Sequence, residues 1–199
     1  VTDGTSPIDP CSLIVASQTI APSSTWVAAD CDNDGVTNGV EITDGTNPLV
    51  PDTDGDGVPD KVETTKGTNP NDPCSFILAN QTVLPSTTWM NSDCDGDGVT
   101  NQKEKIDGTN PLNGCSYIIS SITLTRSSTW NASDCDGDGV PNGKEITDGT
   151  DPLDPCKLIV ASQTLPTTST WKALDCDVDG VPNGVEITDG TNPLNPDTD

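Results

Sequence analysis

Acidic residues recur in this chain at a spacing that suits a cation site. In Asp134-Cys-Asp136-Gly-Asp138-Gly139-Val140-Pro-Asn142-Gly-Lys-Glu145, carboxylates stand at positions 1, 3, 5 and 12, a glycine at 6 and an amide at 9. A calcium loop of the EF-hand type uses these positions. Oxygens come from 1, 3, 5 and a closing Glu at 12, position 7 offers its main-chain carbonyl, position 9 often acts through water, and glycine at 6 makes the sharp turn. Four further stretches carry the same pattern. The candidate ligands are Asp30, Asp32, Asp34, Val36, Asn38 and Glu41 in loop 1, and Asp52, Asp54, Asp56, Val58, Asp60 and Glu63 in loop 2. Loop 3 offers Asp93, Asp95, Asp97, Val99, Asn101 and Glu104, and loop 4 offers Asp134, Asp136, Asp138, Val140, Asn142 and Glu145. Loop 5 offers Asp175, Asp177, Asp179, Val181, Asn183 and Glu186.

The placement of the acids distinguishes a metal site from a solvated acidic linker. All five Glu residues of the chain fall at position 12. Three Asp and one Glu in each loop, with Asp60, account for 21 of the 32 acidic residues. Like charges about 5 Å apart at an effective dielectric near 20 repel by roughly 3 kcal/mol per pair. Four converging carboxylates therefore call for a cation. The all-oxygen set favours Ca²⁺ over Mg²⁺, which prefers a small, largely hydrated octahedron. At least five calcium ions are expected, one per loop, reducing the formal charge of −24 to −14. Asp44, Asn47, Asp148 and Asp151 in the intervening turns are a second tier of candidate ligands, or simply turn caps.

The rest of the 199-residue chain has little with which to build a core. It is 31% hydrophobic and 3% aromatic, with one Met and no His. Ordering a residue costs roughly 1–2 kcal/mol of backbone entropy, so metal and disulfides must supply what apolar burial does not. The acidic excess argues against nucleic acid and anionic membrane surfaces as partners. No apolar run is long enough to span a membrane. An enzyme is not expected: no nucleophile–base pair recurs, and the clustered carboxylates are committed to the loops.

The loops impose a period. They begin at Asp30, Asp52, Asp93, Asp134 and Asp175, spaced by 22, 41, 41 and 41 residues. Residues 1–54 align with 146–199 without a gap, identical at about three-quarters of positions, so a longer period of 145 residues overlies the shorter one. The natural array is expected to continue past this stretch. The expected segments are 1–50 (lobe and loop 1), 51–72 (a spacer holding loop 2 alone), 73–113 and 114–154 (lobes with loops 3 and 4), and 155–199 (a lobe, loop 5 and the start of the next spacer).

Each lobe precedes a loop. Leu13-Ile-Val15, Phe76-Ile-Leu78, Tyr117-Ile-Ile119 and Leu158-Ile-Val160, with later runs such as Gln163-Thr-Leu165, predict short β-strands of a hairpin. After each loop, a stretch such as Val185-Glu-Ile187 allows about one helical turn before Asp189-Gly-Thr-Asn-Pro193 stops it. The predicted fold is therefore a tandem-repeat, mostly irregular chain with short β-strands. Calcium loops alternate with small disulfide-closed β-hairpin lobes along an extended rod.

The eight Cys form pairs 20 residues apart: Cys11–Cys31, Cys74–Cys94, Cys115–Cys135 and Cys156–Cys176. The second of each pair occupies position 2 of a loop. Zinc is disfavoured by the absence of His and of any Cys-x-x-Cys, and free thiols are the other alternative. Four intra-repeat disulfides are expected, each stabilising by roughly 3 kcal/mol in the chain-entropy model, in an oxidising compartment. Trp26, Trp89, Trp130 and Trp171 all lie five residues before the second Cys. They predict either small structural cores against the disulfides or a repeated sugar-stacking platform.

Asp52-Thr-Asp-Gly-Asp-Gly-Val-Pro-Asp60-Lys-Val-Glu63 followed by Gly67-Thr-Asn-Pro70 resembles the thrombospondin type 3 repeat, particularly its bacterial form. The other four loops share the pattern. Asn at position 9 in four of them, and the Cys-bounded lobes between them, depart from it. The resemblance implies an extracellular or cell-surface calcium array in a secreted adhesin or fibre. A structural fibre, filament or adhesin stalk is the leading expectation; a carbohydrate- or surface-binding adhesin module is the alternative. The expected partners are neighbouring repeats, other copies of the chain, with which the strand-forming runs would pair, and a glycan.

Overall fold

The computed structural model describes residues 9–12, 14, 19 and 21–196. The chain divides into two compact units, Val1–Cys94 and Asp95–Asp199. Among the described residues there is no β-strand. The regular elements are short helices: α1 (Ser24–Val27), α2 (Asn38–Asp44), α3 (Asp60–Lys66), α4 (Thr87–Asn91), α5 (Asn101–Asp107), α6 (Ser128–Ala132), α7 (Asn142–Asp148), α8 (Ser169–Ala173) and α9 (Asn183–Asp189).

Two kinds of helix alternate. The lobe helices α1, α4, α6 and α8 are too short to persist alone, and each carries the buried Trp of its lobe. A Ser or Thr three residues ahead caps it: the hydroxyls of Ser23, Ser86, Ser127 and Thr168 accept from the Trp backbone N–H at 3.2, 3.1, 3.0 and 3.1 Å. That satisfies a donor left orphaned at a helix start. The loop helices α2, α3, α5, α7 and α9 run for seven residues, about two turns rather than one. Each stops at a glycine in the left-handed region. The following Thr then donates its N–H to the position-12 Glu carbonyl, as Thr150 does to Glu145 at 3.0 Å. This is a Schellman-type closure, and it explains the recurring Gly-Thr.

The three lobes that follow loops 2, 3 and 4 are therefore not hairpins, which corrects the strand expectation. In place of the first strand, one residue is buried and the chain turns at once into a 3₁₀ helix at Leu78–Asn80, Ile119–Ser121 or Val160–Ser162. Leu13 and Val15 lie outside the described residues. The N–H groups that a hairpin would pair across a ladder are directed to the preceding calcium loop instead. Thr164 and Leu165 both donate to the Gly139 carbonyl, at 2.8 and 2.9 Å, and Thr168 donates to Gly137 at 2.9 Å. Thr82 and Val83 bond Gly57, and Ser86 bonds Gly55, in the same way.

Side chains complete this clamp. Val140, at position 7 of loop 4, is fully buried with Leu158 and Trp171 of the lobe that follows. Val58 packs with Phe76 and Trp89, and Val99 with Tyr117 and Trp130. In the latter two clusters the rings meet edge to face, Phe76 on Trp89 and Tyr117 on Trp130. The lobes that follow loops 2, 3 and 4 thus seal the loop before them, and all four lobes are tied by a disulfide to the loop after them. All four disulfides are formed, with Cα–Cα distances of 5.3–5.4 Å.

Position 4 is where lobe and loop approach most closely. At Gly137 (φ +78) a Cβ would come within 2.5 Å of the Thr168 side chain, the cap of α8. Gly137→Val is expected to destabilise the protein by about 2–3 kcal/mol, combining a left-handed β-branched residue with a disturbed cap. Thermal unfolding in calcium checks it. Loop 5 carries Val178 at this position, with φ +65 and its side chain 85% exposed.

Candidate metal centres

Loop 4 shows how the ligand positions are held. Both oxygens of Asp134 accept backbone N–H bonds, from Gly137 at 2.8 Å and Gly139 at 2.9 Å. Asp136 Oδ1 accepts from the Asp138 N–H at 3.1 Å, and Asp138 Oδ1 from the Val140 N–H at 2.7 Å. The loop's own main chain therefore orients each carboxylate and uses one oxygen of Asp136 and of Asp138. Their second oxygens, and both oxygens of Glu145, are buried without a hydrogen-bond partner. Four such acceptors in one loop are costly unless something positive occupies the space between them.

The same geometry recurs. Loop 2 leaves one oxygen each of Asp54 and Asp56 and both of Glu63 buried and unpartnered, while Asp52 accepts from Gly55 and Gly57 at 2.9 Å. In loop 1, an oxygen of Asp32 and both of Glu41 are in this state; Asp34 differs, accepting from the Lys61 N–H of the adjoining spacer at 3.2 Å. In loop 5, one oxygen each of Asp177 and Glu186 is unpartnered. The Asp triads 30/32/34, 52/54/56, 93/95/97, 134/136/138 and 175/177/179 each bring ligand atoms within 4.8 Å of one another. Asp179 is exposed, whereas Asp56, Asp97 and Asp138 are fully buried.

The family model for the bacterial TSP3 repeat matches residues 30–51, 52–73, 93–114, 134–155 and 175–196, together more than half of the chain. The chain belongs to the bacterial TSP3 repeat family. No curated protein and no solved structure is detectably similar to it. The orphaned oxygens independently fit the divalent cation that a TSP3 repeat binds. The hard, all-oxygen donor set is the chemistry of calcium.

Without a cation the TSP3 carboxylates are held far from their ordinary range. Burial, reinforced by Asp136, Asp138 and Asp134, pushes Glu145 up to about 8. Burial and then Asp54 and Asp56 push Glu63 up to about 8. Asp136 rises to about 7, first through burial and then through Asp138. A raised carboxyl is protonated in the fold over a range where the unfolded chain has released its proton. Ion-free stability therefore declines as pH rises from about 4.5 to about 8. Calcium needs the ionised forms, so its affinity rises over the same interval. Melts at pH 5 and pH 8 should show the chelated protein more stable at pH 5 and the calcium gain larger at pH 8.

Position 9 is engaged elsewhere in the described geometry. Asn142 Oδ1 accepts from the Cys135 N–H at 2.9 Å, and its Nδ2 donates to the Trp130 carbonyl at 3.0 Å. Asn38 and Asn183 make the same pair of bonds. In loop 2, Asp60 accepts instead from the N–H and hydroxyl of Thr53, at 2.8 and 2.6 Å. The position-9 side chain thus latches position 2 and, where it is Asn, the lobe helix. The turn residues proposed as second-tier ligands include two that serve as caps: Asn47 and Asp151 accept from the N–H of Leu49 and Leu153. Asp148 is paired with Lys144 and the Ser162 hydroxyl.

The sugar-stacking expectation for Trp26, Trp89, Trp130 and Trp171 is overturned by burial, since their exposures are 5, 1, 2 and 0%. No indole face is open to a glycan. The indole N–H groups of Trp89, Trp130 and Trp171 donate to the carbonyls of Pro73, Gly114 and Pro155, just before the first Cys of each lobe. The structural role of position 7 was not anticipated beyond its carbonyl. Its signal was present in the sequence, as Val stands there in all five loops.

Proposed function

We propose that this chain is a calcium-stabilised structural segment of an extracellular or cell-surface protein, forming part of a fibre, filament or adhesin stalk. At least five calcium ions, one per loop, take the place of a conventional core. The observation that carries this reading is the fully buried glutamate closing loops 1, 2 and 4, with both oxygens unpartnered. Once ionised, such a group is unfavourable without a cation, and the chain places all five of its Glu residues at this position. Four disulfides suit an oxidising environment. Tandem units of this kind draw stability from each repeat and its nearest neighbours, so adjoining repeats are the first partners and other copies of the chain the second.

Antibodies raised against the chain test the placement and role together. The expected result is labelling of intact cells at their surface, with the labelled material becoming protease-sensitive when calcium is chelated. Labelling confined to the interior of opened cells would overturn the reading.

A further inference from the structure

The repeats are so alike that departures from them are informative, and four departures converge on one place. Tyr117 is the chain's only Tyr and Arg126 its only Arg. One repeat away, 41 residues before or after, the equivalent residues are Phe76 and Leu158 for Tyr117, and Pro85 and Thr167 for Arg126. Asp151 stands where the other Gly-Thr-Asx-Pro turns have Asn47, Asn69, Asn110 and Asn192. Lys157 stands where the other lobes have Ser12, Ser75 and Ser116. All four line a single cavity of about 290 Å³ in the second unit, together with Ile119 and Ile146.

The cavity has polar groups that the fold does not use. Tyr117 is 6% exposed, and its hydroxyl is buried with no hydrogen-bond partner. Arg126 Nε is likewise buried and unpartnered, while the guanidinium lies 4.7 Å from the centre of the Trp130 ring, which fixes its position. Lys157 Nζ lies 2.8 Å from Asp154 and 3.9 Å from Asp151. In a chain of net charge −24, two cations beside an unfilled phenol are an exception that the calcium architecture does not require.

We propose that this cavity binds one carboxylate-bearing monosaccharide unit, a hexuronate. Arg126 pairs with the sugar carboxylate, a geometry its planar fork favours, and Lys157 adds a second positive charge. The Tyr117 hydroxyl donates to a ring or hydroxyl oxygen. Asp151 accepts from sugar hydroxyls, which a simple anion does not offer; an anion without hydroxyls meets only its repulsion. Ile119 and Ile146 supply an apolar surface for the C–H face of the ring. The volume is near the lower end for ligand sites and equals that of about ten waters at roughly 30 Å³ each, which suits one sugar unit. The inference goes beyond the structural role proposed above and uses none of the calcium ligands.

The test uses the whole chain in millimolar calcium, titrated with galacturonate and glucuronate and followed by NMR, with galactose and acetate as controls. At least one uronate is expected to saturate, shifting the Tyr117 ring and Arg126 Nε–H signals, with both controls at least ~10-fold weaker, about 1.4 kcal/mol. Tyr117→Phe and Lys157→Ser should each weaken uronate binding by ~10-fold. Each places in its own lobe a residue that another lobe already carries, Phe76 or Ser116, and an unchanged melt verifies that they fold. The proposal is overturned by failure of both uronates to saturate at tens of millimolar, by equal binding of acetate or galactose, or by full affinity in the two folded variants.

Discussion

Chelation of calcium at pH 8, where the loop carboxylates lose their protons, is expected to unfold this protein cooperatively, including regions that touch no ion. With free calcium at about 100 times the dissociation constant, each site contributes about 2.7 kcal/mol, and five sites about 13 kcal/mol. Whole domains are stable by only about 5–15 kcal/mol, so ion binding is of the same size as the entire margin. Unfolding should extend into the lobes because Val58, Val99 and Val140 are both loop residues and the buried anchors of the lobes that follow. Circular dichroism and protease digestion before and after EDTA, with disulfides intact, provide the measurement. An unchanged melting profile in EDTA would show that the loops do not depend on a cation.

Trp171→Ala should have the largest effect of any single substitution in the second unit. The side chain is fully buried against Val140 and Leu158, and its indole N–H satisfies the Pro155 carbonyl at 2.7 Å. Truncating a buried Trp costs about 3–5 kcal/mol. Because the lobe joins two loops, protection from hydrogen exchange should be lost in loop 4 ahead of it and loop 5 behind it. Trp171→Phe, which keeps an aromatic core but lacks the indole donor, should lose less. If exchange in loop 4 were unaffected by the alanine variant, the clamp between lobe and preceding loop would be without energetic weight.

The metal loops were legible in the sequence because their chemistry is local. All ligand positions lie within twelve residues, and the buried Glu at position 12 is the end of a pattern that can be counted. The disulfides were legible for a similar reason, since a constant separation of 20 residues recurs four times. The lobes were misread because Leu-Ile-Val and Phe-Ile-Leu have the composition of strands. What overrides that preference is the cap ahead of each Trp, which is local, and the bonds to Gly137 and Gly139, which lie about 25–30 residues upstream of their donors. Composition does not report the latter. The latch at position 9 did leave a trace: loops with Cys at position 2 have Asn at 9, whereas Thr53 is matched by Asp60.

The fourth residue of each loop has a wider consequence. Gly55, Gly96 and Gly137 sit in loops that a lobe closes over, each with a Ser or Thr side chain where a Cβ would fall. Loop 1, whose sequence neighbour is another loop, has Asn33 at this position. In loops 1 to 4 this residue thus acts as an address label, glycine where a lobe closes over the loop and Asn33 where another loop follows in the sequence. The order of modules is then written within the loops themselves, and rearranging the array would mean rewriting that letter at every new junction.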